Sequence, residues 1–110
     1  MSPYRVKVTK QAIEHLQGIR DHLLFEFFAP NASRDMLALL SKSIASLAAN
    51  PYRIKTIDEE PWGSRGVRKL IVKNYYVYFW INEDIKTVYV IAVIYSGRDQ
   101  EEQLSSLMKV

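Results

Sequence analysis

Four side chains in the C-terminal half of the chain could act together on a phosphodiester: Arg68, Arg98, Tyr76 and Tyr95. Metal-free RNA cleavage needs a base for the 2′-hydroxyl, a cation for the crowded phosphorane and an acid for the leaving 5′-oxygen. Arginine supplies a fixed charge with bidentate geometry, and tyrosine can stack on a splayed base or, beside cations, transfer a proton. We therefore regard these four residues as candidate catalytic groups.

Three more basic residues in the same region could hold a nucleic-acid backbone or another target: Arg65, Lys69 and Lys73. The segment from residue 64 to residue 73 carries basic residues and no acidic one. The alternative interpretation is that these cations solvate a sheet edge and that the tyrosines are ordinary strand residues. Composition alone leaves both interpretations open.

Other catalytic patterns are weak or absent. His15 and His22 are seven residues apart on a predicted helix, which is more typical of partly exposed flanks than of a metal or catalytic pair. Glu59 and Glu60 fall in a predicted loop and are more typical of a solvated acidic patch than of a general base. The chain has no cysteine, no glycine-rich phosphate loop and no nucleophile elbow. We therefore expect neither a metal ion nor a cofactor.

Length and composition predict one domain spanning residues 1–110, with enough apolar content (48%) for its own core. The absence of cysteine favours a reducing compartment. No apolar run approaches the roughly 20 residues that a membrane span requires, and residues 1–10 have no signal-peptide core. The prediction is a soluble cytoplasmic protein. Its net charge of +3 permits a nucleic-acid or an acidic protein partner.

The N-terminal half predicts a strand followed by a helical hairpin. Alternation indicates a half-buried strand over Tyr4–Thr9. A first helix is predicted over Lys10–Phe28, capped by Thr9, and a second from an Asn31 cap to about Ala49. The apolar stripe of the first helix recurs every three or four residues and comprises Ala12, Leu16, Ile19, Leu23 and Phe27.

The C-terminal half predicts an antiparallel meander. Its strands cover Val67–Val72, Tyr75–Ile81 and Thr87–Tyr95, after a loop that Trp62 anchors. Strict alternation in the middle strand predicts that one set of side chains packs against the helices. The other set is predicted to lie on a partly solvent-exposed face that binds a partner. The first set is Tyr75, Val77, Phe79 and Ile81, and the second is Tyr76, Tyr78 and Trp80.

The last strand is apolar on both sides, which predicts a central position covered on both faces. Strict alternation divides it into two sets, one of Val88, Val90, Ala92 and Ile94, the other of Tyr89, Ile91, Val93 and Tyr95. A short terminal helix over residues 99–108 completes the order β-α-α-β-β-β-α. The fold class is therefore α+β, with the hairpin packed on an antiparallel sheet.

These elements, in this order, resemble the RelE/ParE superfamily of toxins from bacterial type II toxin–antitoxin systems. The matching stretches are YRVKVT, KQAIEHLQGI, LAANP, GVRKLIVKNYYVYFWI and VYVIAVIYSGRD, which together span almost the whole chain. The resemblance implies a compact RelE/ParE-like α+β domain. It also implies a cognate antitoxin that wraps and neutralises the toxin, and hence a hetero-oligomer.

The superfamily has two activities. RelE-like members cut mRNA in the ribosomal A site without metal, using basic and tyrosine side chains, whereas ParE-like members poison DNA gyrase and lack that set. By position, Arg68 and Arg98 match basic residues of the nucleases. Leu70 and Tyr76 stand where the nucleases often have basic residues. The terminal segment has no tyrosine, so Tyr95 is the candidate to approach the same cleft.

The first hypothesis is a toxin that arrests growth as an mRNA endonuclease, with the ribosome and mRNA as partners. Here Arg68 and Arg98 neutralise the phosphate, and Tyr76 or Tyr95 stacks or shuttles a proton. The alternative is a ParE-like inhibitor of DNA gyrase without nuclease activity. A third hypothesis is a degenerate member that only binds its antitoxin.

Overall fold

The computed structural model describes residues 3–97, which form a four-stranded sheet with a helical hairpin on one face. The sheet order is β1-β4-β3-β2, with β1 parallel to β4 and the other neighbours antiparallel. The elements, in chain order, are β1 (Arg5–Val8), α1 (Lys10–Asp21), α2 (Pro30–Ala45), β2 (Arg68–Val72), β3 (Tyr75–Asn82) and β4 (Thr87–Tyr95). A π-helical turn (His22–Glu26) extends α1, and 3₁₀ turns lie at Ser46–Ala48, Pro51–Arg53 and Glu83–Ile85.

This arrangement confirms the predicted α+β class, with a helical hairpin on an antiparallel meander. The strands agree with their predicted bounds to within one residue, and β4 is central, as predicted. The predicted terminal helix and Arg98 lie outside the described residues. Between residues 3 and 97, no helix has the length and apolarity needed to cross a bilayer.

The first helix begins as predicted and ends earlier. The Thr9 hydroxyl accepts a hydrogen bond from the Ala12 N–H at 3.3 Å, which confirms the cap. The prediction that Phe27 belongs to the buried stripe is wrong, because this side chain is 63% exposed. The wider π-helical turn breaks the 3.6-residue period before Phe27, and Phe28 then reverses the chain with φ +50°.

The second helix starts two residues earlier than predicted. Pro30 occupies its first turn and Ala29 is the capping residue, so Asn31 is not the cap. Proline suits this position because its fixed φ matches a helix and its missing N–H has no intrahelical partner there. On the inward side of α2, Leu40, Ile44 and the following Leu47 are buried.

Two separate cores cover the two faces of the sheet. The core under the helices contains Ala12, Leu40, Ile44, Leu47, Val72, Tyr75, Val77, Phe79, Val88, Val90 and Val93. The second core lies on the opposite face, where residues 57–67 cross the sheet and Trp62 is buried against Tyr78. The prediction that Trp62 anchors this loop is confirmed. The prediction that Tyr78 faces solvent is wrong, because the loop buries it completely.

A β-bulge in β4 breaks the alternation that the sequence predicts. Tyr78 pairs with Ala92 and Phe79 pairs with Val90, so Ile91 is an extra residue without a partner on β3. Val93 therefore joins Val88 and Val90 under the helices, while Ala92 and Ile94 enter the opposite core. The predicted division of this strand is wrong beyond residue 91.

Candidate functional site

The sheet divides the predicted site residues between its two faces. In the β2–β3 ladder, Arg68 pairs with Phe79 and Lys69 pairs with Tyr78. Because paired residues point to the same face, Arg68 projects to the helix side with Phe79. Lys69 and Tyr76 project to the opposite side. The structure therefore does not bring Arg68 and Tyr76 together.

The Arg68 guanidinium is engaged in contacts within the fold. Its Nη1 donates a hydrogen bond to the Ile54 carbonyl, and its Cζ lies 5.1 Å from the centroid of the Tyr52 ring. Its Nε is buried and has no hydrogen-bond partner among the described residues. These contacts join β2 to the connection that follows α2. A structural role for Arg68 follows from this geometry.

Next to Arg68, a cluster that the sequence analysis missed surrounds the Glu83 carboxylate. The carboxylate accepts hydrogen bonds from the Tyr4 hydroxyl at 2.8 Å and the Tyr52 hydroxyl at 3.0 Å. It also contacts the Lys86 ammonium at 2.5 Å. Tyr4 and Tyr52 are far in the sequence from Glu83 and Lys86, so no local signal indicates the whole cluster. It ties β1, the turn after α2 and the β3–β4 connection together.

The cluster shifts the pKa values of its members. Hydrogen bonding to Lys86, then to Tyr4, lowers the pKa of Glu83 below its usual value. The hydrogen bond to Glu83 raises the pKa of Tyr4, and desolvation followed by that same carboxylate raises the pKa of Tyr52. The two tyrosines therefore remain protonated donors at neutral pH. Glu83 is the acceptor that both hydroxyls share.

The other predicted binding residues lie on or near the face opposite the helices. The Lys69 ammonium lies 4.3 Å from the centroid of the Tyr76 ring, which is itself edge-on to Tyr78 at 6.3 Å. Lys73 is exposed in the β2–β3 turn with φ +53°, and Arg65 is exposed in the loop before β2. Within residues 3–97, Arg65, Lys69 and Lys73 form no ion pair. They make a dispersed basic surface.

Tyr95 lies on the helix side, distant from Arg68. Its ring is 46% exposed and packs edge-on against Tyr75, with the ring centroids 5.9 Å apart. Tyr95 pairs with Tyr75 of β3, and Tyr75 pairs with Val72 of β2. Arg68 lies four residues from Val72 along β2. Four residues of strand correspond to about 13 Å. The structure therefore does not bring the Arg68 and Tyr95 side chains together.

Tyr95 instead lines a groove of about 900 Å³ between α1, its π-helical turn and the end of the sheet. Glu14, Asp21 and Glu26 contribute acidic groups to this groove. His15 lies there too, and its Nδ1 accepts a hydrogen bond from the Val93 N–H at 3.1 Å. The groove is thus an apolar surface with acidic margins.

Three phenylalanines beside this groove form what we call the phenylalanine tip: Phe25, Phe27 and Phe28, which are 69%, 63% and 83% exposed. His22 contacts the tip edge-on through Phe27 at 4.9 Å and pairs with Glu26 at 2.6 Å. Across the described residues no cluster of three metal-ligating side chains occurs. Clusters of exposed aromatic side chains are typical of protein–protein contact sites.

Sequence comparison decides the family. The chain matches the profile of the ParE toxin of the type II toxin–antitoxin system parDE over residues 6–100. The chain belongs to the ParE toxin family. The toxin is thereby placed in the RelE/ParE superfamily, as the resemblance implied. A search of curated protein sequences finds no match.

Solved structures of related toxins share the fold of this toxin. A chain of the chromosomal ParDE system of P. aeruginosa is similar at TM-score 0.70 and 17% identity, covering 86% of this chain and 98% of that one. A chain of the RelBE2 toxin–antitoxin complex of Mycobacterium tuberculosis is similar at TM-score 0.63 and 21% identity, covering 84% of this chain and 98% of that one. A mutant of E. coli RelE in the free state is similar at TM-score 0.63 and 12% identity, covering 98% of this chain and 99% of that one.

Proposed function

We propose that this toxin arrests growth by inhibiting DNA gyrase through protein contacts, without cleaving mRNA. The observation that carries the proposal is the separation of the three candidate catalytic residues that the structure describes. Arg68 and Tyr76 project from opposite faces of the sheet, and Tyr95 is about 13 Å along the strands from Arg68. Acid–base cleavage needs its groups within about 3 Å of one reacting phosphate.

The contacts of Arg68 add to this argument. A guanidinium that stabilises a phosphorane must have its N–H groups free to form bidentate hydrogen bonds. Here Nη1 is bonded to the Ile54 carbonyl, and the group packs on Tyr52. Membership of the ParE family supports the same direction, since the ParE-like branch is the one associated with gyrase.

A cognate antitoxin is the second partner that we propose. The P. aeruginosa and M. tuberculosis neighbours come from toxin–antitoxin pairs, which supports an antitoxin for this toxin also. Its segment would cover the phenylalanine tip and the adjoining groove, because the tip exposes three large aromatic side chains and Tyr95 lines the groove. The free toxin would then act in the cytoplasm, and the antitoxin-bound toxin would be an inactive hetero-oligomer.

The deciding experiment adds purified toxin to gyrase and plasmid DNA, and in parallel to a translating extract. We expect loss of supercoiling and trapped double-strand breaks in the first assay, with intact mRNA in the second. Cuts at the ribosomal A site together with normal supercoiling would overturn the proposal and restore the nuclease hypothesis. Inactivity in both assays, with antitoxin binding retained, would identify a degenerate toxin.

A matched pair of variants separates folding from target binding in this experiment. Arg65→Gln and Lys55→Gln each remove one exposed cation, the first beside β2 and the second before the loop. If the basic surface contacts gyrase, Arg65→Gln reduces inhibition and Lys55→Gln does not. Equal activities would remove Arg65 from the target surface while leaving the gyrase proposal intact.

A further inference from the structure

Strand β2 lies at the edge of the sheet and pairs along its length only with β3. On its outer side, an isolated antiparallel bridge joins Arg68 to Thr56, and the Val67 carbonyl accepts a hydrogen bond from the Ile57 N–H at 2.9 Å. Beyond this bridge, no strand among residues 3–97 lies along the outer side of β2. An open strand edge is a template for pairing with another chain.

The residue that offers its backbone at this edge is Ile71. Successive residues of a strand direct their N–H and C=O groups alternately to the two sides. The outward carbonyl of Val67 therefore places the N–H and C=O of Lys69 and Ile71 on the outer side as well. The Ile71 side chain is 62% exposed, which is unusual for isoleucine in a sheet. Both its backbone and its side chain are thus presented to a partner.

Lysines bracket Ile71 at a spacing of two residues. Lys69 precedes it on the same side of the sheet, and Lys73 follows in the exposed turn. The Tyr76 ring holds the Lys69 ammonium above that side, at 4.3 Å from its centroid. A partner strand laid beside β2 would place one of its residues opposite Ile71. The partner residues two positions before and two positions after that one would then lie near the ammonium groups of Lys69 and Lys73.

We propose that the β2 edge binds an extended segment of a partner protein in which an apolar residue is flanked, two positions before and two after, by acidic residues. The apolar residue covers Ile71, the acids pair with Lys69 and Lys73, and the backbone extends the sheet. The pattern is symmetric, so it fits a parallel or an antiparallel segment. The inference concerns the form of the bound segment and holds whether or not gyrase is the target.

Charge argues against a second copy of this chain at the same edge. If two β2 strands paired in antiparallel fashion about Ile71, Lys69 of each copy would lie opposite Lys73 of the other copy. Like charges directly opposite each other destabilise a strand pair. The lysines thus disfavour self-pairing and favour an acidic partner, as edge lysines commonly do.

The test uses the full-length ¹⁵N-labelled toxin and two heptapeptides, TETVTET and its charge-reversed control TKTVTKT. We expect TETVTET to shift the Ile71 amide and to slow its hydrogen exchange, and to bind roughly tenfold more tightly than TKTVTKT. Equal binding of the two peptides, or shifts confined to the phenylalanine tip, would overturn the proposal. So would concentration-dependent shifts of β2 without peptide, which would indicate a second copy.

Two pairs of variants sharpen this result. Ile71→Pro deletes the outward N–H but leaves the β3 ladder intact, and should weaken TETVTET roughly tenfold, whereas Ile71→Val should not. Lys69→Glu combined with Lys73→Glu keeps the backbone and should reverse the preference to TKTVTKT. This reversal also decides the matter if the proline variant fails to fold, and unchanged preference would refute the proposal.

Discussion

The two faces of the sheet are built in different ways from the same strand. On one face, Val77 and Phe79 of β3 pack under a helical hairpin. On the other, Tyr78 of the same strand is buried by Trp62, which sits on a loop without regular secondary structure. The comparison shows that a run of aromatic residues in a strand need not indicate an open binding surface. A loop can cover it as completely as a helix.

The two faces also differ in their cations. On the helix side, Arg68 is held by the Ile54 carbonyl and Tyr52, whereas on the other side Lys69 lies above the Tyr76 ring with its donors available. Neighbouring basic residues in one sequence segment therefore have different roles. The first is structural, and the second is available to a partner.

The largest effect is expected from removing the loop's anchor. Trp62→Ala should destabilise the toxin by about 3–5 kcal/mol, because it opens a cavity above Tyr78. Urea unfolding would measure the change, with Leu40→Ala as the helix-face counterpart at about 2–5 kcal/mol. A cost below about 1 kcal/mol for Trp62→Ala would mean that the loop does not form a true second core.

A smaller effect separates the two neighbouring cations. Arg68→Ala should cost about 1–3 kcal/mol, because it leaves the Ile54 carbonyl without its donor. Lys69→Ala should cost about 0.5–1 kcal/mol, the size of a cation–π contact at an exposed site. The same unfolding measurement applies. Equal costs would contradict the assignment of different roles to the two residues.

The Glu83 cluster predicts a pH dependence on the helix side. The pKa of Glu83 is lower in the folded chain than its ordinary value of 4.5, so its stabilising contribution is present above that pH and disappears as the pH falls through the folded pKa. Wild type should therefore lose its advantage over Glu83→Gln as the pH is lowered from neutral to below 4.5. A difference in thermal midpoint that stays constant over this range would exclude the carboxylate's role.

The smallest effect on stability is expected at the phenylalanine tip. Phe28 is highly exposed and has φ +50°, a conformation that asparagine tolerates better. Phe28→Asn should change the free energy of unfolding by less than about 0.5 kcal/mol, while weakening antitoxin binding. Calorimetric titration with the antitoxin would measure this, and unchanged affinity would place the antitoxin elsewhere. Lys55, which is exposed and does not line the groove, offers a control through Lys55→Gln.

Strong, regular patterns allowed most of the fold to be predicted from sequence. The strands of the meander and the Thr9 cap follow from apolar alternation and capping chemistry. The end of α1 could not be predicted, because a π-helical turn leaves no distinct mark in HLLFEFF. The burial of Tyr78 could not be predicted either, since residues 57–67 have no period that shows which face they cover.

The candidate site was harder to predict, because it depends on side-chain direction. The sequence shows that basic residues are concentrated before and within β2, but the face to which each points follows only from its register with β3. Whether Arg68 is available depends on Ile54 and Tyr52, which belong to a different part of the chain. Contacts of this kind have no signature in local spacing. Arg98 stays a prediction, because it lies beyond residue 97.

The bulge at Ile91 has a consequence for transferring residue roles between toxins. Inserting one residue inverts which side of the sheet every later position of the strand occupies. A relative without this residue aligns correctly only when a one-residue gap is placed opposite Ile91. An alignment without the gap would assign Val93 to the face of Ile94 and Ile94 to the face of Val93. Deleting Ile91 should therefore restore regular alternation, with Val90 still opposite Phe79 and Ala92 still opposite Tyr78, so that the residues up to Tyr95 keep their faces.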